Sequence, residues 1–454
     1  MNHPPLEIVT GARRELAGVR LMLRTLWLGT RTLGGLAPAM RGVLALQRLR
    51  RQAAAAGVRP PTKMVVQGSR RFFSLYMPGL PSPALDRFML ADLLRAASPP
   101  RPPLVPQLAI MAITKRCHLR CRHCFEWAEL DRPDTLSLDD LRLLAHRLQS
   151  NGASLLQFSG GEPLCRFDDL LRLLASLGRG VDSWIITSGL GLTADRARSL
   201  RHRGLTGVII SLDDWRAERH DAFRGARGLH AKALRAARAA RRQGLVVALS
   251  LCATREFVSD ANLTAYASLA RELGAGFIQL LEPRAVGRFA GQSVALEPWQ
   301  RRLLERFYLR MNHDPALESM PLVEYPELRG RALGCQGQGQ RHLYVDTDGG
   351  LHTCPFNRRS VGSSLGPNWR VALAHVAEGG CSATGCSVHD RGVLAAGTEP
   401  ASGAHQTTRR SGADENQNRW VGDAGGAGGD PADGLLRLGG HPGHPIERPA
   451  GRGP

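Results

Sequence analysis

Short apolar runs alternate with longer amphipathic segments through the middle of the chain. The first apolar run, residues 108–114, predicts a buried strand, and residues 137–152 predict a helix with Ser137 as its N-cap and Gly152 after its end. The order repeats, with strands predicted at 154–158, 184–188, 207–212, 245–251 and 277–283, and helices at 167–178, 193–204, 228–244 and 261–274. Six such steps, the last strand without a clear helix, predict an α/β fold with a parallel sheet covered by helices.

Residues 14–56 have a different pattern, with apolar residues three and four positions apart and arginines between them. Gly34, Gly35 and Pro38 divide this stretch into two predicted helices. A basic amphipathic helix can lie on an anionic membrane surface. We favour the other interpretation, in which the apolar stripe packs on the protein itself or on a partner.

Composition changes along the chain suggest five regions. A proline-rich break at residues 98–106 is a candidate linker, and the Gly-, Ala-, Pro- and Arg-rich end lacks periodicity, which predicts disorder. The predicted regions are a helical N-terminal region with its linker, an α/β core, a connecting segment, a cysteine-containing module and a disordered tail, at residues 1–104, 105–285, 286–333, 334–390 and 391–454.

The 454 residues carry a formal net charge of +20, which raises the question of a polyanionic partner. Arginine supplies nearly all of the positive charge, as expected from coding bias, and no compact basic stripe is interleaved with aromatic residues. We therefore expect no nucleic acid partner. The sequence shows neither a signal peptide nor a long uncharged apolar stretch, so we expect a cytoplasmic protein whose clustered cysteines bind metal.

Three cysteines, Cys117, Cys121 and Cys124, follow the first predicted strand with three and two residues between them. Thiolates suit zinc or iron–sulfur clusters. His118 or His123 could complete a zinc site, although structural zinc sites usually combine two separated cysteine pairs. Three thiolates on a four-iron cluster leave one iron open to a substrate or cofactor.

A second motif, FSGGEPL at residues 158–164, ends the next strand. Adjacent glycines allow a ligand to approach the backbone closely, and a carboxylate follows at once. CHLRCRHC at residues 117–124 resembles the CxxxCxxC motif of radical S-adenosylmethionine (SAM) enzymes, and FSGGEPL resembles their GGE motif. His123 stands where the family usually has an aromatic residue.

The resemblance covers about residues 105–285 and implies a partial (β/α)6 barrel. It also implies that the three cysteines bind a [4Fe–4S] cluster, which cleaves SAM to a 5′-deoxyadenosyl radical that abstracts a substrate hydrogen. The residues implied to bind SAM are Gly160, Gly161 and Glu162, with Pro163 fixing the turn, then Ser188 in TSG, and Ser211 and Asp213 in SLDD. The segment HDAFRG at residues 220–225 also resembles the family.

Four distal cysteines form a second candidate site. Cys335, Gly349 and Cys354 are similar in spacing to the start of SPASM or Twitch domains, and residues 344–356 predict a hairpin with an Asp-Gly turn. With Cys381 and Cys386 they could bind one auxiliary [4Fe–4S] cluster, or alternatively zinc. The segment after residue 386 resembles nothing in these domains. Cys165 and Cys252 are predicted to be small buried hydrophobic residues.

The resemblance therefore implies a radical SAM enzyme, and the SPASM- or Twitch-like segment implies one that modifies a peptide or protein. Its expected partners are a precursor peptide or protein and an electron donor such as a flavodoxin or ferredoxin. The alternative within the family is an enzyme of small-molecule or cofactor biosynthesis. A hypothesis of another class is a zinc-stabilised binding protein without catalytic activity.

Overall fold

The computed structural model describes residues 6–97, 106–335 and 341–378. The strands are β1 (Glu7–Val9), β2 (Met64–Gln67), β3 (Arg70–Phe72), β4 (Leu108–Ala112), β5 (Leu155–Ser159), β6 (Asp182–Thr187), β7 (Gly207–Ser211), β8 (Val246–Cys252), β9 (Phe277–Leu281), β10 (Leu322–Glu324), β11 (His342–Val345), β12 (Gly350–His352) and β13 (Gly362–Ser363). The α-helices are α1 (Gly11–Thr32), α2 (Leu36–Ala55), α3 (Pro83–Ala97), α4 (Leu138–Ser150), α5 (Phe167–Ala175), α6 (Ala194–His202), α7 (Ala217–Arg224), α8 (Leu229–Arg242), α9 (Asp260–Leu273), α10 (Pro298–His313), α11 (Pro326–Leu333) and α12 (Trp369–Glu378).

A ten-stranded sheet forms the centre of the fold, in the order β10-β9-β8-β7-β6-β5-β4-β11-β12-β13. Strands β4 to β10 pair in parallel in chain order, and β11 joins them in parallel beside β4. This confirms the predicted α/β class with a mostly parallel sheet. The sheet also contains β10, a seventh parallel strand that follows α10 and that the sequence pattern did not predict.

Successive residues of the parallel strands belong to two different hydrophobic clusters, because side chains alternate between the two faces of a sheet. Leu156 and Phe158 pack in the large outer core together with residues of the covering helices. Leu155, which pairs with Leu108 of β4, belongs together with Leu108 and Trp184 to a smaller cluster on the other face. Both faces are therefore buried, which explains the nearly continuous apolar strands in the sequence.

The N-terminal region contains the two predicted helices α1 and α2, and also an antiparallel sheet in the order β1-β2-β3 that the pattern did not indicate. Val65, Phe72 and Leu75 of this region share the smaller cluster with residues of the parallel strands. The ring of Phe72 meets the ring of Trp184 edge to face, with centroids 6.4 Å apart. In the described part of the chain, no helix is both long and apolar enough to cross a membrane.

Local signals at two predicted elements are confirmed in detail. Ser137 caps α4 as predicted, because its hydroxyl accepts the Asp140 N–H at 3.1 Å while the Asp140 carboxylate accepts the Ser137 N–H at 2.9 Å. The predicted distal hairpin is β11–β12, with Tyr344 opposite His352. The predicted tail at residues 391–454 lies outside the described residues.

Candidate active site

A cavity of about 610 Å³ lies at the carboxyl ends of the parallel strands. Loops after parallel strands meet at this edge, where α/β proteins commonly bind ligands. Of the predicted site residues, those lining the cavity are Cys117, Cys121, Cys124, Gly160, Gly161, Glu162, Ser188, Ser211, Asp213, Cys335 and Cys354. Pro163 lies behind them, at the start of a buried 3-10 turn, Pro163–Arg166. Cys381 and Cys386 lie outside the described residues.

The three cysteines of the first motif pack in one small cluster with Leu119 and Leu229. Cys121 is buried, whereas Cys117 and Cys124 are partly exposed towards the cavity. Burial raises the pKa of Cys117 and that of Cys124 to about 12, so iron binding must displace thiol protons. Three soft thiol donors on one loop, facing a cavity, fit an iron–sulfur cluster. Among the residues described, no three Cys, His, Asp or Glu side chains are arranged to hold a single metal ion.

The loop of Gly160, Gly161 and Glu162 (the Gly-Gly-Glu loop) packs directly on the loop after β4 that carries Cys117, Cys121 and Cys124 (the cysteine loop). The Gly161 N–H donates to the Thr114 carbonyl at 2.7 Å, and the Glu162 N–H donates to the Arg116 carbonyl at 2.8 Å. A Cβ atom on Gly161 would lie 2.4 Å from the Arg116 oxygen and 3.0 Å from the Cys117 Cβ. Glycine is therefore required at this position for the two loops to approach each other.

The Glu162 carboxylate is 3% exposed and is held by the end of β6. It accepts hydrogen bonds from the Thr187 hydroxyl at 2.6 Å, the Ser188 hydroxyl at 2.5 Å and the Ser188 N–H at 2.9 Å. Burial raises its pKa, and these hydrogen bonds offset part of the rise. Ser188, which the resemblance implies binds SAM, thus anchors Glu162. Thr187 was missed, although its hydroxyl directly before Ser188 was visible in the sequence.

Asp213 is buried and has both carboxylate oxygens bound by protein groups. Oδ2 accepts from the Arg224 guanidinium, and Oδ1 accepts the Cys252 N–H at 3.0 Å. Burial alone would raise the pKa of Asp213, but the Arg224 cation and the neighbouring His123 and His220 bring it below its usual value. Cys252 is buried, as predicted, and lies beside this carboxylate.

The β11–β12 hairpin brings Cys354 to the same cavity and contacts the cysteine loop. Glu126, two residues after Cys124, accepts from the Tyr344 hydroxyl and from the Arg358 guanidinium, the latter at 2.7 Å. The ammonium of Lys115 donates to the Asp348 carboxylate at 2.6 Å. Two buried or partly buried ion pairs therefore join the distal cysteine segment to the loop of the first motif.

Several charged residues outside the predicted motifs also line the cavity. Glu282, just after β9, accepts from the Tyr325 hydroxyl at 2.5 Å and from Arg331 at 2.6 Å. Glu327 accepts from Arg284 at 3.3 Å, and its Oε2 has no hydrogen-bond partner among the described residues. Burial raises the pKa of Glu327 to about 7. No motif marks these residues, because they come from two separate regions, the end of the α/β core and the connecting segment.

Comparison with known proteins identifies the family to which the chain is similar. Residues 111–256 match the family model of the radical SAM superfamily. The chain is 31% identical over 260 residues to the PqqA peptide cyclase of Streptomyces rochei, covering 55% of this chain and 69% of the relative. It is also 28% identical over 235 residues to GTP 3′,8-cyclase 3 of Mycobacterium tuberculosis (strain CDC 1551 / Oshkosh), covering 49% of this chain and 62% of that relative. The chain thus spans less than two thirds of the length of the GTP cyclase.

Among solved structures, Streptococcus suis SuiB bound to the precursor peptide SuiA superposes with a TM-score of 0.51 at 16% identity, over 61% of this chain and 66% of that chain. At that identity the similarity shows the fold, that of a partial barrel. In addition, the match to the family model and the sequence relatives show common ancestry. The chain therefore belongs to the radical SAM superfamily, whose members are enzymes that use SAM and a [4Fe–4S] cluster.

Proposed function

We propose that this radical SAM enzyme modifies a peptide or protein substrate. In this proposal Cys117, Cys121 and Cys124 hold the [4Fe–4S] cluster, and the loop of Gly160, Gly161 and Glu162 binds SAM. When bound, the reduced cluster and SAM supply a 5′-deoxyadenosyl radical that abstracts a substrate hydrogen. The observation that carries the proposal is the direct packing of the two loops, with a Gly161 Cβ position 3.0 Å from the Cys117 Cβ.

The residues around the two loops position the cofactor and exclude water. Thr187 and Ser188 fix the orientation of the Glu162 carboxylate, so that it needs little reorganisation when an amino group binds. Ser211 and Asp213 lie at the end of β7 on the wall of the cavity. We propose that Ser211 contacts SAM or substrate directly, whereas Asp213 contributes through Arg224.

The peptide assignment is supported by the relatives. The PqqA peptide cyclases of Streptomyces rochei and Gluconobacter oxydans are 31% and 32% identical, and this chain covers 69% and 71% of their lengths. SuiB, which has the same fold, is bound to a precursor peptide. The proposed partners are accordingly a precursor peptide and a one-electron donor such as a flavodoxin or ferredoxin.

An enzyme of small-molecule or cofactor biosynthesis is the second candidate, favoured by the GTP 3′,8-cyclase relatives at 28% identity. The two candidates differ in what is modified. A short peptide encoded beside the gene, incubated with the reconstituted enzyme, SAM and dithionite, should change mass if the first candidate is correct. Conversion of a nucleotide or another small metabolite, with the peptide unchanged, would establish the second.

We also propose an auxiliary [4Fe–4S] cluster in the distal module. Cys335 and Cys354 line the cavity that contains the first motif, which supports a role near the reaction. Cys381 and Cys386 would complete the four ligands. The alternative is a zinc ion, and quantitative iron, sulfide and zinc analysis of a Cys354→Ser variant would distinguish them, since loss of zinc alone would contradict the auxiliary cluster.

The central test is anaerobic purification followed by iron, sulfide and zinc analysis, and then reaction with dithionite and SAM. We expect acid-labile sulfide and 5′-deoxyadenosine from the wild type, and neither the SAM-binding cluster nor 5′-deoxyadenosine from a Cys117→Ala/Cys121→Ala/Cys124→Ala variant. Cys165→Ala, a cysteine change outside the loop, serves as the matched control. Stoichiometric zinc without sulfide would instead support a zinc-stabilised binding protein.

A further inference from the structure

The end of α7 is fixed to the cysteine loop at three points. The Arg122 N–H donates to the Phe223 carbonyl at 2.9 Å. The His123 ring stacks on the Phe223 ring with centroids 4.8 Å apart. Gly225, with φ +78°, lies so close that a Cβ atom there would be 2.8 Å from the Arg120 carbonyl oxygen. The HDAFRG segment, which forms the end of α7, thus packs against the loop that carries the three thiols.

This docking places Arg224 beside one of the thiols. The guanidinium Nη1 lies 3.7 Å from the Cys121 Sγ, within the range of an N–H···S hydrogen bond. The Nε side donates to Asp213, whose other oxygen is held by the Cys252 N–H. Arg224 is 8% exposed and Asp213 5% exposed, so the ion pair is buried. The carboxylate therefore fixes the cation in one orientation, with its Nη1 group directed at sulfur.

We propose that Arg224 is a positioning residue that raises the reduction potential of the cluster held at Cys121. The inference rests on the proposed function, since it requires the cluster. Reduction adds one electron, taken from an external one-electron donor, and the added negative charge is shared by the iron atoms and the ligand sulfurs. A buried cation and an N–H donor on one sulfur stabilise that charge, because Coulomb interactions are strong at low dielectric and hydrogen bonds to sulfur raise cluster potentials.

The geometry gives Arg224 a larger effect on the reduction potential than is expected of a cation that is paired with a carboxylate. Asp213 offsets part of the positive charge, but it binds Nε, whereas Nη1 contacts Cys121. The pair therefore acts as a dipole with its positive end at the thiol. Removing Arg224 would leave the buried Asp213 anion near the cluster without its partner, which disfavours reduction further.

The test is an anaerobic redox titration of the reconstituted full-length protein without SAM, followed by electron paramagnetic resonance of the reduced cluster. The signal to follow is the one that changes when SAM is added afterwards. Arg224→Met should lower the reduction equilibrium constant at least tenfold, which is about 59 mV for a one-electron couple. Arg224→Lys, which keeps the charge, should lie closer to the wild type. Arg242→Met, an exposed arginine at the end of α8, should leave the potential unchanged.

An Arg224→Met variant with a full cluster and the wild-type potential would overturn the inference. So would an unchanged potential accompanied by weaker SAM binding, which would assign Arg224 to SAM. If Arg224→Met does not retain its cluster, Arg224→Gln applies the same criterion, because it keeps an N–H donor and loses the charge. Failure of the proposed function is recognised separately, since the wild type itself would then contain no SAM-responsive cluster.

Discussion

At the residue scale, Gly161 lies in close contact with the backbone of the cysteine loop. A methyl group on Gly161 would lie 2.4 Å from the Arg116 oxygen, a backbone atom that cannot rotate away. We therefore expect Gly161→Ala to separate the two loops, to destabilise the protein by about 1–3 kcal/mol and to reduce 5′-deoxyadenosine formation at least tenfold.

The matched control for this change is Gly366→Ala. A Cβ atom on Gly366 would meet nothing closer than 3.9 Å, so both its unfolding midpoint and its activity should stay near those of the wild type. Thermal unfolding and product analysis by chromatography measure the two quantities. A fully active Gly161→Ala enzyme would show that close packing of the loops is not needed for SAM cleavage.

Glu327 gives the second residue-scale prediction, a dependence of stability on pH. Burial raises its pKa from the ordinary value near 4.5 to about 7, so the folded state favours the protonated form. The stabilisation from this proton is complete below about pH 4.5 and is lost as the pH rises through 7. Glu327→Gln, which mimics the neutral form, should therefore be more stable than the wild type at pH 8 by about 1–3 kcal/mol, with little difference at pH 5.

Urea unfolding at several pH values measures this difference. Glu272→Gln, an exposed carboxylate on α9, is the control and should show no gain at pH 8. A Glu327→Gln variant that is less stable than the wild type at pH 8, by at least as much as at pH 5, would mean that the ion pair with Arg284 outweighs burial.

At the scale of elements, the sequence predicted those whose apolar period is long and undisturbed. The six strands from β4 to β9 and the helices α4, α5, α6, α8 and α9 were found because each is buried and bounded by polar or glycine residues, whereas α7 was not predicted. Strands β1, β3 and β10 were missed, since each is only three residues long and too short to show alternation. Helix α10 was missed because arginines interrupt its apolar face, although Arg301 within that face is buried beside Glu282.

The candidate site divides in the same way. The cysteine and Gly-Gly-Glu motifs are each contiguous in sequence, so their resemblance to the motifs of the family could be recognised from the sequence. The contacts of Arg224 with Cys121 and of Arg358 with Glu126 join residues 103 and 232 positions apart. Such pairs depend on how the elements pack, which one sequence does not specify.

The ion pair between Arg358 and Glu126 gives an element-scale prediction, because it joins the distal hairpin to the cysteine loop. Glu126 is 3% exposed, whereas the Arg358 side chain is 35% exposed, so solvent screens part of the interaction. Arg358→Met should destabilise the protein by about 1–3 kcal/mol and speed amide hydrogen exchange in β11 and β12. Adding Glu126→Gln should recover part of the loss, since the unpaired buried charge is removed.

Arg359→Met provides the control, an exposed neighbouring arginine on the same segment. Hydrogen exchange followed by mass spectrometry resolves the hairpin from the rest of the sheet. Unchanged exchange in β11 and β12 after Arg358→Met would mean that the parallel pairing of β11 with β4 holds the hairpin without the ion pair.

At the scale of the whole molecule, the N-terminal region and the barrel share one hydrophobic cluster at the amino ends of the parallel strands. Val65 packs so closely on Gly276, the residue before β9, that a Cβ atom on Gly276 would lie 2.8 Å from the Val65 side chain. The buried ammonium of Lys63 donates to the Leu317 and Met320 carbonyls at 3.0 and 2.8 Å. These contacts hold the N-terminal region against the amino ends of the strands, and residues of α1 and α2 line the same cavity as the cysteine motif.

A Phe72→Ala variant tests whether the N-terminal region and the barrel unfold as one cooperative unit. The Phe72 ring is 1% exposed and fills the cluster between the N-terminal sheet and Trp184, so Phe72→Ala should cost about 3–5 kcal/mol through lost burial and a residual cavity. If the two regions unfold together, the unfolding midpoint followed by circular dichroism should fall. The free energy of opening, measured by hydrogen exchange of β6 amides, should then fall by a matching amount. Phe73→Ala, the partly exposed neighbour, should cost much less. If β6 instead stays protected after the N-terminal strands begin to exchange, the barrel folds independently of the N-terminal region.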